Sequence, residues 1–105
     1  MKTLSVIIPV YYNAESLPPL FVKLQEIEQQ LLSQDMALEL IFVDDGSGDN
    51  SLQELFKIKQ QRPATKIIKL SRNFGSNRAS KCGLQHATGD CSMVLAADLQ
   101  DPPEL

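Results

Sequence analysis

The amino-acid sequence predicts an α/β fold: an open, mostly parallel sheet with helices on both faces, in the order βαβαβαβ. Four short runs of apolar, often β-branched residues alternate with three segments whose apolar residues follow helical spacing. Runs that are apolar throughout are typical of strands covered on both faces of a parallel sheet. Because parallel neighbours need a crossover connection, the three intervening segments are predicted to be helices that pack on the sheet.

The first strand and helix precede residue 34. Leu4–Val10 is the first strand, and polar residues end it. The helix that follows runs to about Ser33, with Ser16 as its N-cap. Pro18 and Pro19 are tolerated because they fall in the first turn, where a backbone N–H is not needed. The apolar stripe of this helix consists of Leu17, Leu20, Phe21, Leu24, Ile27 and Leu31.

The second strand, Leu38–Val43, leads directly into a polar turn. Ser51 and Glu54 have the spacing of a capping box at the start of the second helix. Arg62 and the proline after it end this helix. Its predicted apolar stripe consists of Leu52, Leu55, Phe56 and Ile58.

Lys66–Leu70 is predicted as the third strand, and Ser71–Asn77 as the loop after it. The third helix has a face of small residues, which permits close packing on a sheet. Cys91–Ala97 is the fourth predicted strand. The small residues of the third helix are Ala79, Cys82, Gly83 and Ala87.

Length and composition fit one small domain over residues 1–105. The hydrophobic share is 43%, the charged share 22% and the net charge −3, which gives no electrostatic argument for nucleic acid as a partner. Cys82 and Cys91 lack the spacing of a metal site and are expected to be reduced packing thiols. The chain ends on an unfinished Pro-Pro-Glu-Leu segment, so we expect it to be the first part of a longer protein.

Polar residues gather after each predicted strand. In an open parallel sheet, ligands bind beyond the carboxyl ends of the strands, so the four clusters predict one composite site. In chain order the clusters are Pro9, Tyr11, Tyr12, Asn13 and Glu15; Asp44, Asp45, Gly46 and Ser47; Ser71, Arg72, Asn73, Phe74 and Gly75; and Asp98, Gln100 and Asp101.

The residue types in these clusters favour a nucleotide ligand. Adjacent carboxylates, such as Asp44 and Asp45, accept hydrogen bonds from a base N–H or a ribose hydroxyl, and a tyrosine ring stacks on a base. Asp98 and Gln100 offer hard oxygen ligands for Mg²⁺ or Mn²⁺, which bridges a substrate diphosphate. Taken alone, Asp-Gly-Ser is also ordinary turn chemistry.

Four blocks of the sequence, in this order, resemble those of family 2 glycosyltransferases, and most closely the polyprenyl-phosphate sugar transferases of the dolichol-phosphate mannose synthase group. The resemblance implies a GT-A fold, a nucleotide-sugar donor, a divalent metal and inversion at the sugar carbon. The blocks are V-I-I-P-V-Y-Y-N-A-E-S-L, F-V-D-D-G-S-G-D-N-S, L-S-R-N-F-G-S-N-R-A-S-K-C-G-L and A-A-D-L-Q-D-P-P-E-L.

The resemblance also assigns roles to single residues. Asp45, with Asp44 beside it, matches the acidic pair whose second member contacts the base. Asp98 and Gln100 match the end of an Asp-x-Asp-x-Gln motif for metal and diphosphate, whose first acid is replaced here by Ala96. The first block usually reads Pro-x-Tyr-Asn-Glu, and the doubled tyrosine of this chain allows two registers. The nucleotide-binding candidates are therefore Pro9, Tyr11, Tyr12, Asn13, Glu15, Asp44, Asp45 and Asp98.

The resemblance further implies a polyprenyl-phosphate acceptor, a place on the cytoplasmic side of a membrane and a catalytic base after residue 105. This chain by itself is thus expected to bind a donor weakly or not at all, and not to complete the reaction. An exposed sheet edge permits self-association into a homo-oligomer.

Two other classes remain as alternatives: a non-catalytic nucleotide-binding module and a phospho-acceptor signalling domain. A dinucleotide-dependent oxidoreductase and a P-loop NTPase are disfavoured because their glycine-rich motifs are missing.

Overall fold

The computed structural model describes residues 2–97, apart from the side chain of Ser76, and it confirms the βαβαβαβ order. The strands and helices alternate without exception in this part of the chain. Their bounds are β1 Lys2–Val10, α1 Leu17–Ser33, β2 Met36–Asp44, α2 Ser51–Gln61, β3 Thr65–Lys69, α3 Ser76–Gln85 and β4 Cys91–Val94.

The four strands form one parallel sheet in the order β3-β2-β1-β4. β1 is central: Leu4 pairs with Leu38 of β2 on one side and with Cys91 of β4 on the other. The chain moves outward from β1 to β3 and then crosses back to the far side of β1. The order of strand addition therefore reverses between β1 and β4, and a crevice at the carboxyl ends of these two strands is expected at such a reversal.

Alternate residues of the strands face two separate cores, which confirms the prediction of helices on both faces. One core contains Val6 and Phe42 of the sheet and is covered by α1 and α2; the other contains Ile7 and Ile41 and is covered by α3. This arrangement follows from right-handed crossovers, because the direction of strand addition reverses only at α3.

The small-residue face of α3 explains its close approach to the sheet. Ala79 is fully buried, and a methyl group added at Gly83 would collide with the side chain of Ile7 and lie 3.1 Å from that of Val43. A larger residue at position 83 would separate the helix from the strands. The small residues predicted for this helix therefore serve helix–sheet packing.

The start of α2 differs from the prediction, because Ser51 and Glu54 do not form a capping box. Ser51 is the first helical residue and Asn50 is the N-cap, with no side-chain cap bond. The hydroxyl of Ser51 contacts Asp49 instead, and the Glu54 carboxylate accepts a hydrogen bond from Lys57 at 3.0 Å. Tertiary partners of Ser51 outcompete the local motif.

The apolar stripe of α2 is narrower than predicted. Leu55 and Ile58 are buried, but Phe56 is about half exposed. A short helix packed on β2 and β3 buries a single line of residues along its length. Phe56 follows the buried Leu55 directly, so its side chain projects about a quarter of a turn away from that line. In α1 the predicted stripe is confirmed, with Leu17, Leu20, Phe21 and Leu24 buried.

An ion pair joins helices and strands at the amino ends of the strands. Arg62, the C-cap of α2, donates from Nη2 to Glu28 Oε2 at 2.7 Å and from Nε to Glu28 Oε1 at 3.1 Å. The same guanidinium donates to the carbonyl oxygens of Leu38 and Ala64. Only 13% of the Arg62 side chain is exposed, so this pair ties α1, α2 and β2 together with little competition from water.

Glu39 forms a second cluster at the same end of the sheet. Its carboxylate accepts hydrogen bonds from Ser5 Oγ, Thr88 N and Thr88 Oγ1, and lies 3.0 Å from Lys66 Nζ. Burial alone would raise the pKa of Glu39, but the bonds from Thr88, Ser5 and Lys66 together lower it to about 2. Glu39 thereby connects β1, β2, β3 and the turn before β4.

No helix of the described residues combines the length and the apolar character needed to cross a membrane.

Candidate functional site

A cavity of about 430 Å³ lies at the carboxyl ends of β1 and β4, where the topology opens the crevice. Its walls come from the loop after β1, the end of β2, the loop after β3 and the residues after β4. The cavity is lined by Pro9, Val10, Tyr11, Asn13, Asp45, Asn73, Ala96 and Ala97.

Asp45 is the acidic residue of this wall. It is buried, and its carboxylate accepts hydrogen bonds from Phe74 N at 2.8 Å, Gly75 N at 3.0 Å and Asn73 Nδ2 at 3.1 Å. Gly75 is the N-cap of α3, so the carboxylate lies at the positive end of that helix. Because a carboxylate has about four acceptor positions, Asp45 retains capacity for a donor in the cavity.

Asp44 has a different role from its neighbour. It is buried outside the cavity wall, and its Oδ1 accepts a hydrogen bond from Ser47 N at 3.1 Å. This bond closes the turn after β2. Of the predicted acidic pair, the structure therefore places the second member at the cavity wall and the first outside that wall.

Gly46 allows the loops after β2 and β3 to touch. Its φ of +77° lies in the left-handed region, and a methyl group there would lie 2.6 Å from Arg72 C and from Asn73 N. Only glycine permits this contact, and the contact brings Asn73 to the cavity.

The two tyrosines of the first loop diverge. Tyr12 has a φ of +54°, which turns the chain between two otherwise adjacent side chains. Tyr11 lines the cavity, whereas the Tyr12 hydroxyl contacts Gly48. The rings meet edge to face with centroids 4.7 Å apart, and Tyr11 N donates to Asn13 Oδ1 at 2.8 Å. The ring of Tyr11 is the aromatic surface available to a ligand in the cavity.

The structure thus brings four of the predicted nucleotide-binding residues together and leaves three outside the wall. Asp98 and Gln100, the predicted metal ligands, lie outside the described residues. The residues at the wall are Pro9, Tyr11, Asn13 and Asp45; those away from it are Tyr12, Glu15 and Asp44.

Sequence reasoning did not select Asn73 as a site residue. Its Nδ2 group donates to both the backbone oxygen and the carboxylate of Asp45, at 3.2 and 3.1 Å. Asn73 does belong to the polar cluster predicted after β3. Nothing in the local sequence, however, indicates that Asn73 rather than the neighbouring Arg72 lies at the site. Ala96, the position where the resembling motif has an acid, also lines the cavity.

The described wall of the cavity carries no basic side chain, and residues 2–97 contain no group of three or more His, Cys, Asp or Glu residues arranged to hold a metal. An anionic ligand in this cavity would therefore need a cation from outside the described wall.

Comparison with known proteins identifies one matching family and several solved structures that share the fold. The model of the family described as Glycosyl transferase family 2 matches residues 5–105. Among curated proteins, the undecaprenyl-phosphate 4-deoxy-4-formamido-L-arabinose transferase of Salmonella choleraesuis is 40% identical over 105 residues, which are 99% of this chain and 31% of that protein. The chain thus spans about a third of the length of this relative.

Two solved structures share the fold. The mannosyltransferase PcManGT from Pyrobaculum calidifontis, in complex with GDP-Man and Mn²⁺, matches with a TM-score of 0.69 at 21% identity, over 94% of this chain and 32% of that one. TarS residues 1–349 from S. aureus, in complex with UDP-GlcNAc, matches with a TM-score of 0.68 at 26% identity, over 93% of this chain and 27% of that one.

Proposed function

The chain belongs to glycosyl transferase family 2, and from that premise we propose that it forms the donor-binding part of an inverting glycosyltransferase. The observation that carries the proposal is the cavity at the β1/β4 crevice, where Tyr11, Asn13, Asp45 and Asn73 converge. These are an aromatic ring, two amides and a carboxylate, which suit a base and a ribose.

In the proposed complex, the base of a nucleoside diphosphate sugar stacks on Tyr11. The Asp45 carboxylate, held in place by the N–H groups of Phe74 and Gly75, accepts a hydrogen bond from a ring N–H of the base. Pro9 and Asn13 form the wall beside the base. The sugar and the diphosphate extend toward the residues after β4.

The diphosphate requires a cation, because the described wall offers none. We propose Asp98 and Gln100 as ligands of a divalent metal, Mg²⁺ or Mn²⁺, on the strength of their sequence motif. The bound metal would neutralise the diphosphate charge. The methyl group of Ala96 lies at the wall, so this chain has one oxygen ligand fewer than the Asp-x-Asp-x-Gln pattern.

The relatives support the class of donor and acceptor. The Salmonella relative is named as a transferase acting with undecaprenyl phosphate, and the TarS structure contains UDP-GlcNAc. We therefore propose a UDP- or GDP-linked sugar as donor and a polyprenyl phosphate as acceptor, with the reaction on the cytoplasmic side of a membrane.

Calorimetric titration of the chain with UDP and with GDP, each with and without Mn²⁺, tests this function. We expect one nucleotide to bind at millimolar concentration and to need the metal. Asp98→Ala should abolish the metal-dependent part of the binding with an unchanged circular dichroism spectrum. Binding that is indifferent to Mn²⁺ in the unmodified chain would exclude the metal assignment.

A matched pair of tyrosine variants tests the placement of the base. Tyr11→Ala should weaken nucleotide binding about tenfold, because stacking on an aromatic ring contributes roughly 1–3 kcal/mol per base. Tyr12→Phe is the control, since it keeps the ring that packs against Tyr11 and removes only the hydroxyl group at Gly48. Equal losses of affinity in the two variants would argue against Tyr11 as the stacking residue.

A further inference from the structure

The segment 45–51, which links β2 to α2 and ends on the first residue of that helix, makes contacts that neither turn formation nor helix capping accounts for. Three of its side chains accept hydrogen bonds from three successive backbone N–H groups of the first loop, residues 11–14. The bonds run from Tyr12 N to Ser47 Oγ at 3.1 Å, from Asn13 N to Ser51 Oγ at 3.0 Å and from Ala14 N to Asp49 Oδ2 at 3.4 Å.

Asp49 fixes the orientation of Ser51 within this segment. Its Oδ1 accepts from Ser51 N at 3.0 Å and from Ser51 Oγ at 2.6 Å. Because the hydroxyl proton of Ser51 is used by Asp49, the lone pairs of the fully buried oxygen are left for Asn13 N. Burial alone would raise the pKa of Asp49, but the hydrogen bonds from Ser51 and from backbone N–H groups lower it, so the carboxylate stays ionised at neutral pH.

The loop that these bonds hold is strained. Tyr12 has a left-handed φ of +54°, a conformation that is unfavourable for any residue other than glycine. Such a conformation persists only where surrounding contacts determine it. Here the strained residue lies between Tyr11 and Asn13, both of which line the cavity, while its own ring lies against Gly48.

We infer that Ser47, Asp49 and Ser51 are positioning residues that hold the first loop in the conformation in which Tyr11 and Asn13 form the cavity wall. The inference deepens the proposed function and rests on it for the identity of the ligand, a nucleoside diphosphate. The three side chains reach that ligand only through the loop.

Tyrosine fluorescence measures the state of the first loop directly. The chain contains two tyrosines and no tryptophan, and both tyrosines belong to this loop. In Ser51→Ala and in Asp49→Asn, we expect iodide to quench the tyrosine emission more strongly and the affinity for the nucleotide to fall about tenfold. Asp49→Asn removes the charge while keeping the side-chain shape, so it serves as the test if Ser51→Ala does not fold.

Ser33→Ala and Asp35→Asn are the matched controls, because both residues are exposed at the far end of α1. Neither should change quenching or affinity. Unchanged quenching in both test variants would overturn the inference, and so would altered quenching with unchanged affinity. If the unmodified chain binds neither nucleotide, the proposed function fails by itself, and the quenching result still decides whether the segment holds the loop.

Discussion

The two ends of the sheet differ in whether their charged side chains have partners of opposite charge. At the amino ends of the strands, Arg62 pairs with Glu28 and Lys66 with Glu39. At the carboxyl ends, Asp44 and Asp45 are buried, and within residues 2–97 no lysine or arginine nitrogen lies within 4.0 Å of either carboxylate.

This difference indicates that the charges at the amino ends stabilise the fold, whereas those at the carboxyl ends are available to a ligand. Paired charges at the amino ends satisfy each other and leave nothing for a ligand, so their role is to connect strands and helices. Backbone N–H groups compensate the carboxylate of Asp45 without neutralising it, which leaves a net negative charge at the cavity. That charge favours N–H donors and a cation as ligands, at some cost in folding free energy.

Among these variants, Gly46→Ala should cause the largest loss of stability. It tests whether the carboxyl end of the sheet also depends on close backbone packing. The left-handed φ and the contact with the backbone of Arg72 and Asn73 predict a loss of roughly 2–5 kcal/mol in the free energy of unfolding. Urea denaturation measures it. Gly48→Ala is the control, because its methyl group meets side-chain atoms of Tyr12, the hydroxyl oxygen and the ring carbon Cζ at 3.1 Å, rather than backbone. A loss equal to that of Gly46→Ala would contradict the packing argument.

Arg62→Ala should lower the free energy of unfolding by about 3 kcal/mol, because it leaves Glu28 and the carbonyl of Leu38 without their partner. Nucleotide affinity should not change in the variant while it remains folded. Lys23→Ala, which breaks an exposed pair with Glu26, should cost less than about 1 kcal/mol. A change in affinity with Arg62→Ala would break the separation between the two ends.

Glu39→Gln should lower stability by about 2 kcal/mol at pH 7, since hydrogen bonds to a charged group contribute roughly 1.5–3 kcal/mol. The pKa of Glu39 is about 2 in the folded chain, below its ordinary value of 4.5. Its contribution is therefore complete above pH 4.5 and is lost as the pH falls toward 2. Thermal unfolding of both proteins between pH 7 and pH 2.5 should show the difference in melting temperature shrinking; a constant difference would contradict the ionised role.

The order of elements and the position of the crevice were predictable from the sequence. Apolar periodicity is local, and once the strands are parallel their carboxyl ends share one edge of the sheet. The capping box at Ser51 failed because its hydroxyl is used by Asp49 and by Asn13, which lies 38 residues away along the chain. Glu39 and Thr88 meet across 49 residues. Contacts of this kind depend on how elements pack, and local spacing does not encode them.

The role of Asn73 illustrates the same limit at the site. A polar residue after a strand is expected near the crevice, but its selection depends on the left-handed turn at Gly46, which brings the β3–α3 loop against the end of β2. Asp45, which the resemblance selects for contact with the base, lies at the cavity, and the base contact itself stays a prediction. Of the two tyrosines whose register the resemblance leaves open, Tyr11 lines the cavity and Tyr12 does not.

The central place of β1 also sets an order of events during synthesis. β1 is made before the other described strands and its second neighbour, β4, is made after them, so the hydrogen bond between Thr3 and Asp90 spans 87 residues. At roughly 5–20 residues per second, the ribosome takes roughly 4–17 s to make that span. During this interval one edge of the central strand is unpaired. Pairing with β2 covers only the opposite edge of β1, so the edge that later binds β4 is open to pairing with another chain until β4 arrives.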